Sequence, residues 1–150
     1  QREEQSGPGK FFPLSMQVDK SGYSLVRTIL SINEENKNMV FAGNLPEGSK
    51  VRLMKANFDK IINAASEAAT GVLASGIRKT PELAILVSCV GRKRILQERT
   101  AEEIRAARKT LGPACTITGF YSYGEIAPFG QNTDCELHNQ TMTITTLTEL

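Results

Sequence analysis

The hydrophobic pattern of the first third of the chain predicts short strands. Apolar residues occupy every second position across residues 12–18, the spacing of a strand with one buried face. Residues 23–30 are apolar and β-branched, and shorter apolar runs follow at residues 39–42 and 50–54. Glycine, proline and asparagine residues separate these runs, as in turns. We therefore predict a small β meander in this part of the chain.

Helical periodicity begins after Asn57, a residue type that caps helices. Apolar residues recur at intervals of three and four over residues 58–73, which predicts a helix of about four turns. A second helix is predicted over residues 100–111. Thr100 and Glu103 there have the spacing of a capping box, in which each side chain bonds to a backbone N–H group of the first turn.

The remaining strands define the fold class. Residues 83–87 are apolar at every position, as expected of a central strand covered on both faces. Further strands are predicted at residues 115–123 and 137–147. The total of about seven strands and two principal helices predicts an α+β fold with a mainly antiparallel sheet. We expect one domain over residues 11–150, preceded by a polar lead-in or linker at residues 1–10.

Composition excludes several classes of protein. The chain has 150 residues, 18 lysines and arginines against 16 acidic residues, and a formal charge of +2. It lacks the concentrated basic stripe that is typical of a nucleic-acid-binding protein, so we predict no nucleic-acid partner. No apolar run approaches the roughly 18 residues of a membrane span. Three dispersed cysteines and one histidine predict neither a disulfide framework nor a metal site, and they favour a reducing, cytoplasmic compartment. No phosphate-loop motif is present, and we predict no cofactor.

Candidate binding chemistry begins where the buried strand ends, at Cys89, Gly91 and Arg92. A thiol, a glycine that permits close approach and a guanidinium that grips a carboxylate with two donors would suit a small anion. The structural alternative is a buried inert thiol, a turn glycine and a solvated arginine.

Two more strand ends carry polar side chains. In a strand, Tyr121 and Tyr123 point to one face, and with Glu125 they would line a pocket and supply hydrogen bonds. His138 would point inward, with Asn139 on the opposite face unless a bulge turns it. The structural alternatives are tyrosine rings that cover the sheet, a glutamate that enters a turn, and a histidine that only satisfies a buried hydrogen bond.

These stretches also carry a resemblance to a known family. The run VSCVGR at residues 87–92, the block GFYSYGEIAP at residues 119–128 and the sequence HNQT at residues 138–141 resemble the C-terminal domain of the FIST family. The sequence NLPEGSKVRLM at residues 44–54 is similar to the segment before the first helix of that family. The resemblance extends over residues 11–149.

The resemblance implies an intracellular sensory domain that binds a small ligand, with amino acids as the suggested class. Its signalling partners would be kinases, chemotaxis receptors or cyclases, and a FIST N-terminal domain normally precedes it. We expect Arg92 to hold a ligand carboxylate and Glu125 an amino group. The other predicted ligand-binding residues, which would orient the ligand or line its pocket, are Cys89, Gly91, Tyr121, Tyr123, His138 and Asn139.

Two other classes of function remain open. In eukaryotes the FIST C-terminal module occurs with an F-box, which implies a protein-interaction module that recruits substrates for ubiquitin ligation. An exposed apolar patch beside residues 121–128, without a pocket, would favour that reading. A cysteine-dependent enzyme instead requires Cys89 near His138 and a lowered thiol pKa.

Overall fold

The chain divides into two compact units, Gln1–Ala56 and Asn57–Leu150. The predicted lead-in at residues 1–10 lies outside the described residues, and the single domain over residues 11–150 stays a prediction. The structure is a computed structural model that describes residues 12–18, 23–74, 80–129 and 133–149.

The predicted fold class, α+β with mainly antiparallel strands, is confirmed. Among the described residues, five of the six strand pairs are antiparallel and one is parallel. In the ranges that the structure describes, the α-helices are α1 (Phe58–Ala74), α2 (Val90–Leu96) and α3 (Thr100–Leu111). The strands in those ranges are β1 (Leu14–Val18), β2 (Tyr23–Arg27), β3 (Ile29–Asn33), β4 (Asn38–Phe41), β5 (Val51–Leu53), β6 (Leu83–Cys89), β7 (Thr116–Ser122), β8 (Glu125–Pro128), β9 (Cys135–His138) and β10 (Met142–Leu147).

The first unit contains a three-stranded sheet, in the order β2-β1-β5, and the separate hairpin β3-β4. Met16 and Leu25 are buried neighbours on one face of the sheet. Their chain neighbours point to the other face, because side chains alternate along a strand. The predicted strand over residues 23–30 is two strands, because the chain leaves the sheet at Thr28 to begin the hairpin.

The second unit places helices against a sheet in the order β10-β6-β7, with β8 and β9 as a separate hairpin. β6 is central, as its apolar sequence predicts. Small side chains let the helices approach the sheet closely, so the core is rich in alanine. Its buried members are Ala65, Ala69, Ala84, Leu86, Ala107, Leu111, Cys115 and Met142.

Both predicted helices begin near the expected residues, but only one of the two predicted caps is confirmed. Lys60 N donates to Asn57 Oδ1 at 2.9 Å, so Asn57 caps α1. A 3-10 turn over Gln97–Arg99 leads directly into α3, and Thr100 already has helical dihedral angles. Its hydroxyl therefore donates back to the Gln97 carbonyl, and Glu103 is fully buried instead of closing a capping box.

Gly119 of β7 is the register partner of Leu86 of β6, and it provides a stability test. A Cβ atom at Gly119 would lie 1.9 Å from the Leu86 carbonyl oxygen, so the backbone of β6 or β7 would have to shift. We expect Gly119→Ala to lower the free energy of unfolding by about 2–3 kcal/mol in urea titrations.

The matched control is Gly71, an exposed glycine of α1 whose Cβ position has no neighbouring atom within 4 Å. Gly71→Ala should raise the free energy of unfolding by about 0.5–1 kcal/mol, because alanine favours the helix. Equal urea midpoints for Gly119→Ala and the wild type would contradict the close approach.

Candidate functional site

Four of the eight predicted site residues lie in two clusters at the ends of β6 and β7, Arg92 and Tyr121 in one and Cys89 and Glu125 in the other. Ser88 is the register partner of Tyr121, and Cys89 is the partner of Ser122. Consecutive side chains of a strand point to opposite faces, so these two pairs lie on different sides of the sheet. We call the first group the helix-side cluster (Ser88, Arg92, Glu103, Tyr121) and the second the hairpin-side cluster (Cys89, Ser122, Glu125, Thr141).

An ion pair between Arg92 and Glu103 is the centre of the helix-side cluster. Arg92 Nε and Nη2 lie 2.9 Å and 2.8 Å from Glu103 Oε2, and the side chains are 3% and 0% exposed. Arg92 Nη2 also donates to the Ile61 carbonyl oxygen at 2.6 Å. One arginine on α2 therefore binds both α1 and α3.

The second oxygen of Glu103 is also occupied. Glu103 Oε1 accepts hydrogen bonds from the Tyr121 hydroxyl at 2.8 Å and from Ser88 Oγ at 3.3 Å. Burial raises the pKa of Tyr121, and the Glu103 carboxylate raises that pKa further. The phenol therefore stays protonated and donates to the carboxylate.

This arrangement bears directly on the ligand role predicted for Arg92. A guanidinium that holds a ligand carboxylate must present its donors to a cavity. Arg92 is almost fully buried, and its Nε and Nη2 atoms bind Glu103 and the Ile61 carbonyl of α1. The Glu103 carboxylate therefore occupies the position on Arg92 that was predicted for a ligand carboxylate.

Glu125 is the centre of the hairpin-side cluster and is 2% exposed. Its two oxygens accept hydrogen bonds from Ser122 Oγ at 2.5 Å and from Thr141 Oγ1 at 2.8 Å. Cys89 N donates to the Thr141 carbonyl at 3.0 Å. The carboxylate predicted to bind a ligand amino group therefore joins β7, β8 and the start of β10.

The Cys89 thiol has the opposite electrostatics from a catalytic nucleophile. Burial raises its pKa, the nearby Glu125 carboxylate raises it further, and backbone hydrogen bonds involving Gly91 and Gln140 only partly offset this. A nucleophilic cysteine requires a lowered pKa. The lowered thiol pKa predicted by the cysteine-enzyme hypothesis is therefore wrong.

His138 and Asn139 are both buried, at 5% and 1% exposed. His138 is the register partner of Glu125 in the β8–β9 hairpin. Its Nε2 lies 2.9 Å from the Ala127 carbonyl oxygen, which can only accept, so Nε2 carries the proton. Asn139 Nδ2 donates to the His138 carbonyl at 3.0 Å. These contacts fit the structural role that the sequence left open for the histidine.

Side chains of the protein lie beside Gly91, where a ligand was expected. A Cβ atom at Gly91 would lie 3.1 Å from Gln140 Cγ and 3.5 Å from Cys89 Sγ. Gln140 itself has a positive φ of 56°, a conformation that is uncommon for residues other than glycine. The space that Gly91 leaves is thus used for packing against the turn after β9.

Tyr123 does not share the environment of Tyr121. β7 ends at Ser122, so the alternation that would place both phenols on one face stops before Tyr123, whose side chain is 80% exposed. Three apolar residues within six positions of Tyr123 are also exposed. The exposed fractions are 63% for Phe120, 74% for Ile126 and 52% for Phe129.

Glu103 is the important residue that the sequence prediction placed wrongly. The capping-box spacing assigned its carboxylate to the helix start, yet it carries the buried ion pair. A different signal was available, since Glu103 lies four residues before Ala107 and eight before Leu111. All three residues are buried on the same face of α3, as this spacing dictates.

A family comparison accounts for most of the chain. The model of the FIST C domain matches residues 1–128. This chain belongs to the FIST C domain family. The match ends at the end of β8, so it does not include His138 and Asn139. No curated protein and no solved structure matches the chain.

Membership in the FIST C family indicates a signal-transduction domain. Across the described parts of the chain, no helix is long and apolar enough to cross a membrane. The same residues contain no group of three or more histidine, cysteine or acidic side chains that could hold a metal ion.

The ion pair can be tested by a double-mutant cycle on Arg92→Met and Glu103→Leu. Each single substitution leaves one buried charge without its partner, so we expect each to lower the free energy of unfolding by about 3–5 kcal/mol. The double variant should lose much less than the sum.

The matched control for this cycle is the solvent-exposed pair between Arg99 and Glu102, whose atoms lie 2.8 Å apart. Glu102→Gln should leave the urea midpoint almost unchanged, because water screens this pair. Additive losses in the double variant would contradict the coupling of Arg92 and Glu103.

The three cysteines should differ in their reactivity with iodoacetamide. Cys135 is exposed, whereas Cys89 and Cys115 are buried and burial raises the pKa of both thiols. Between pH 8 and pH 9 we expect peptide mass spectrometry to show Cys135 labelled at least about ten times as fast as Cys89. In urea all three rates should converge; a folded-state rate for Cys89 equal to that of Cys135 would restore the enzyme hypothesis.

Proposed function

We propose that this FIST C domain is a protein-interaction module of a signal-transduction protein. Its docking surface is formed by Phe120, Tyr123 and Ile126, which we call the β7–β8 apolar surface. The observation that supports this function is the exposure of these three side chains, at 63%, 80% and 74%. They lie within seven consecutive residues at the end of β7, in the turn and in β8.

Such a surface is chemically suited to a protein partner. Contiguous exposed apolar patches on a soluble protein commonly mark interaction sites, and aromatic side chains are enriched in the cores of interfaces. A tyrosine and a phenylalanine supply a large contact area with little side-chain entropy to lose. This is the surface expected of the interaction-module hypothesis.

Hydrogen bonds of the hairpin-side cluster stabilise the turn that carries Tyr123. Ser122 and Glu125 bracket Tyr123, and their side chains are joined by a hydrogen bond of 2.5 Å. Thr141 holds the other oxygen of Glu125, and β8 is paired with β9. The turn is therefore fixed before a partner arrives, which reduces the entropy lost on binding.

The sensor hypothesis would require rearrangement of the same residues. An amino acid bound by Arg92 and Glu125 would have to replace Glu103 on the guanidinium, and Ser122 and Thr141 on the carboxylate. Groups that are buried and already hydrogen-bonded gain little from such an exchange. The geometry therefore favours recognition at the surface over a pocket at these residues.

The docking surface can be tested with a photo-crosslinking amino acid in place of Tyr123, in the full-length protein in its own cells. We expect a covalent product with a signalling protein, such as a kinase, receptor, cyclase or ubiquitin-ligase subunit. Adding Phe120→Asp should reduce the yield at least about tenfold, because it places a charge in an apolar interface, and should leave the melting temperature unchanged. The same crosslinker at exposed Glu67 of α1 is the control.

Calorimetry with a panel of amino acids distinguishes the sensor hypothesis from the interaction module. We expect no saturable heat. Saturable binding that Glu125→Gln abolishes at an unchanged melting temperature would overturn the interaction module in favour of the sensor, as would equal crosslinking from position 67.

A further inference from the structure

The polar face of the first unit's sheet contains a groove that the proposed function does not use. Its volume is about 340 Å³. It lies across all three strands of the sheet, β1, β2 and β5. The lining residues are Ser15, Gln17, Ser24, Lys50, Val51 and Arg52.

Strand register brings the polar side chains of this groove together. Arg52 is the partner of Ser15, and Ser24 is the partner of Gln17. Gln17 N also donates to the Lys50 carbonyl at 3.1 Å, which places Lys50 beside the second pair. Because side chains alternate along each strand, all five project from the face opposite Met16.

The charge of the groove is unbalanced. Lys50 directly precedes β5 and Arg52 lies in it; both are exposed, and they are two positions apart, about 7 Å in an extended chain. The lining contains no carboxylate, and no ion pair joins either cation to another residue in the ranges that the structure describes. Two cations at this spacing repel each other unless an anion lies between them.

We propose that this groove is a binding site for a phosphate group. The guanidinium of Arg52 and the ammonium of Lys50 supply two positive charges, which match the charge of about −1.5 to −2 on a phosphate monoester. The hydroxyls of Ser15 and Ser24 supply neutral donors on the neighbouring strands. A carboxylate fits less well, because it carries one charge and two acceptor oxygens whereas the groove offers donors from three strands.

The phosphate can come from a small ester or from a phosphorylated side chain, and the test separates these sources. Calorimetry on the full chain uses inorganic phosphate, O-phosphoserine, a phosphoserine peptide and the same peptide without phosphate. We expect the three phosphate-bearing probes to bind and the unphosphorylated peptide not to bind. A peptide that binds more tightly than O-phosphoserine indicates a protein source, and equal affinities indicate a small ester.

Neutral variants locate the site. Arg52→Gln and Lys50→Gln should each weaken O-phosphoserine binding about fivefold, a loss typical of one exposed charge contact. Lys55→Gln, which removes an exposed charge outside the lining, should leave it unchanged. Failure of all probes to bind, or equal weakening by Lys55→Gln, would overturn the proposal. Neither result bears on the β7–β8 apolar surface, which belongs to the other unit.

Discussion

The buried ion pair between Arg92 and Glu103 is the constraint on which the second unit depends. A charge removed from water is tolerated only when a partner and further hydrogen bonds compensate for the lost hydration. Glu103 on α3 therefore requires Arg92 on α2, and the remaining capacity of the pair requires Ser88 and Tyr121 from the sheet and the Ile61 carbonyl from α1. One ion pair thus joins three helices and two strand ends in a single arrangement.

The same constraint applies to the predicted site residues, which have the chemistry of a ligand site and bond to one another in the structure. An arginine, a glutamate and two tyrosines suggest a polar pocket when read from sequence, because these side chains bind small polar molecules. Whether they bind a ligand or each other depends on whether donors and acceptors balance within the protein. Glu103 and Glu125 have both oxygens occupied by neighbouring side chains.

Local signals predicted much of the fold, and long-range pairing accounts for what they missed. The Asn57 cap and the central strand β6 follow from residues adjacent in sequence, so periodicity and capping identify them. Glu103 pairs with Arg92, eleven residues earlier in the chain, and local periodicity does not reveal such a pairing. The spacing of Thr100 and Glu103 fits a capping box, but the spacing alone does not determine whether the box forms. The prediction placed Tyr123 in a pocket beside Tyr121, but β7 ends at Ser122. Tyr123 therefore lies outside the strand and is exposed. The described residues form ten strands where about seven were expected, partly because the run at residues 23–30 gives no sign of its break at Thr28.

The two proposed binding surfaces would depend on different interactions. Docking at the β7–β8 apolar surface would gain affinity from removing apolar area from water, a term that added salt does not screen. Phosphate binding in the groove of β1, β2 and β5 would gain affinity from two exposed cations. Their attraction for an anion falls as ionic strength rises, because the screening length shortens from about 10 Å at 0.1 M to about 3 Å at 1 M. We therefore expect ionic strength to separate the two proposed activities in one preparation of the unaltered chain: anion binding should weaken with salt, whereas docking of an apolar partner should persist. If both weakened together, docking would depend on charge and not on the apolar side chains of the β7–β8 apolar surface.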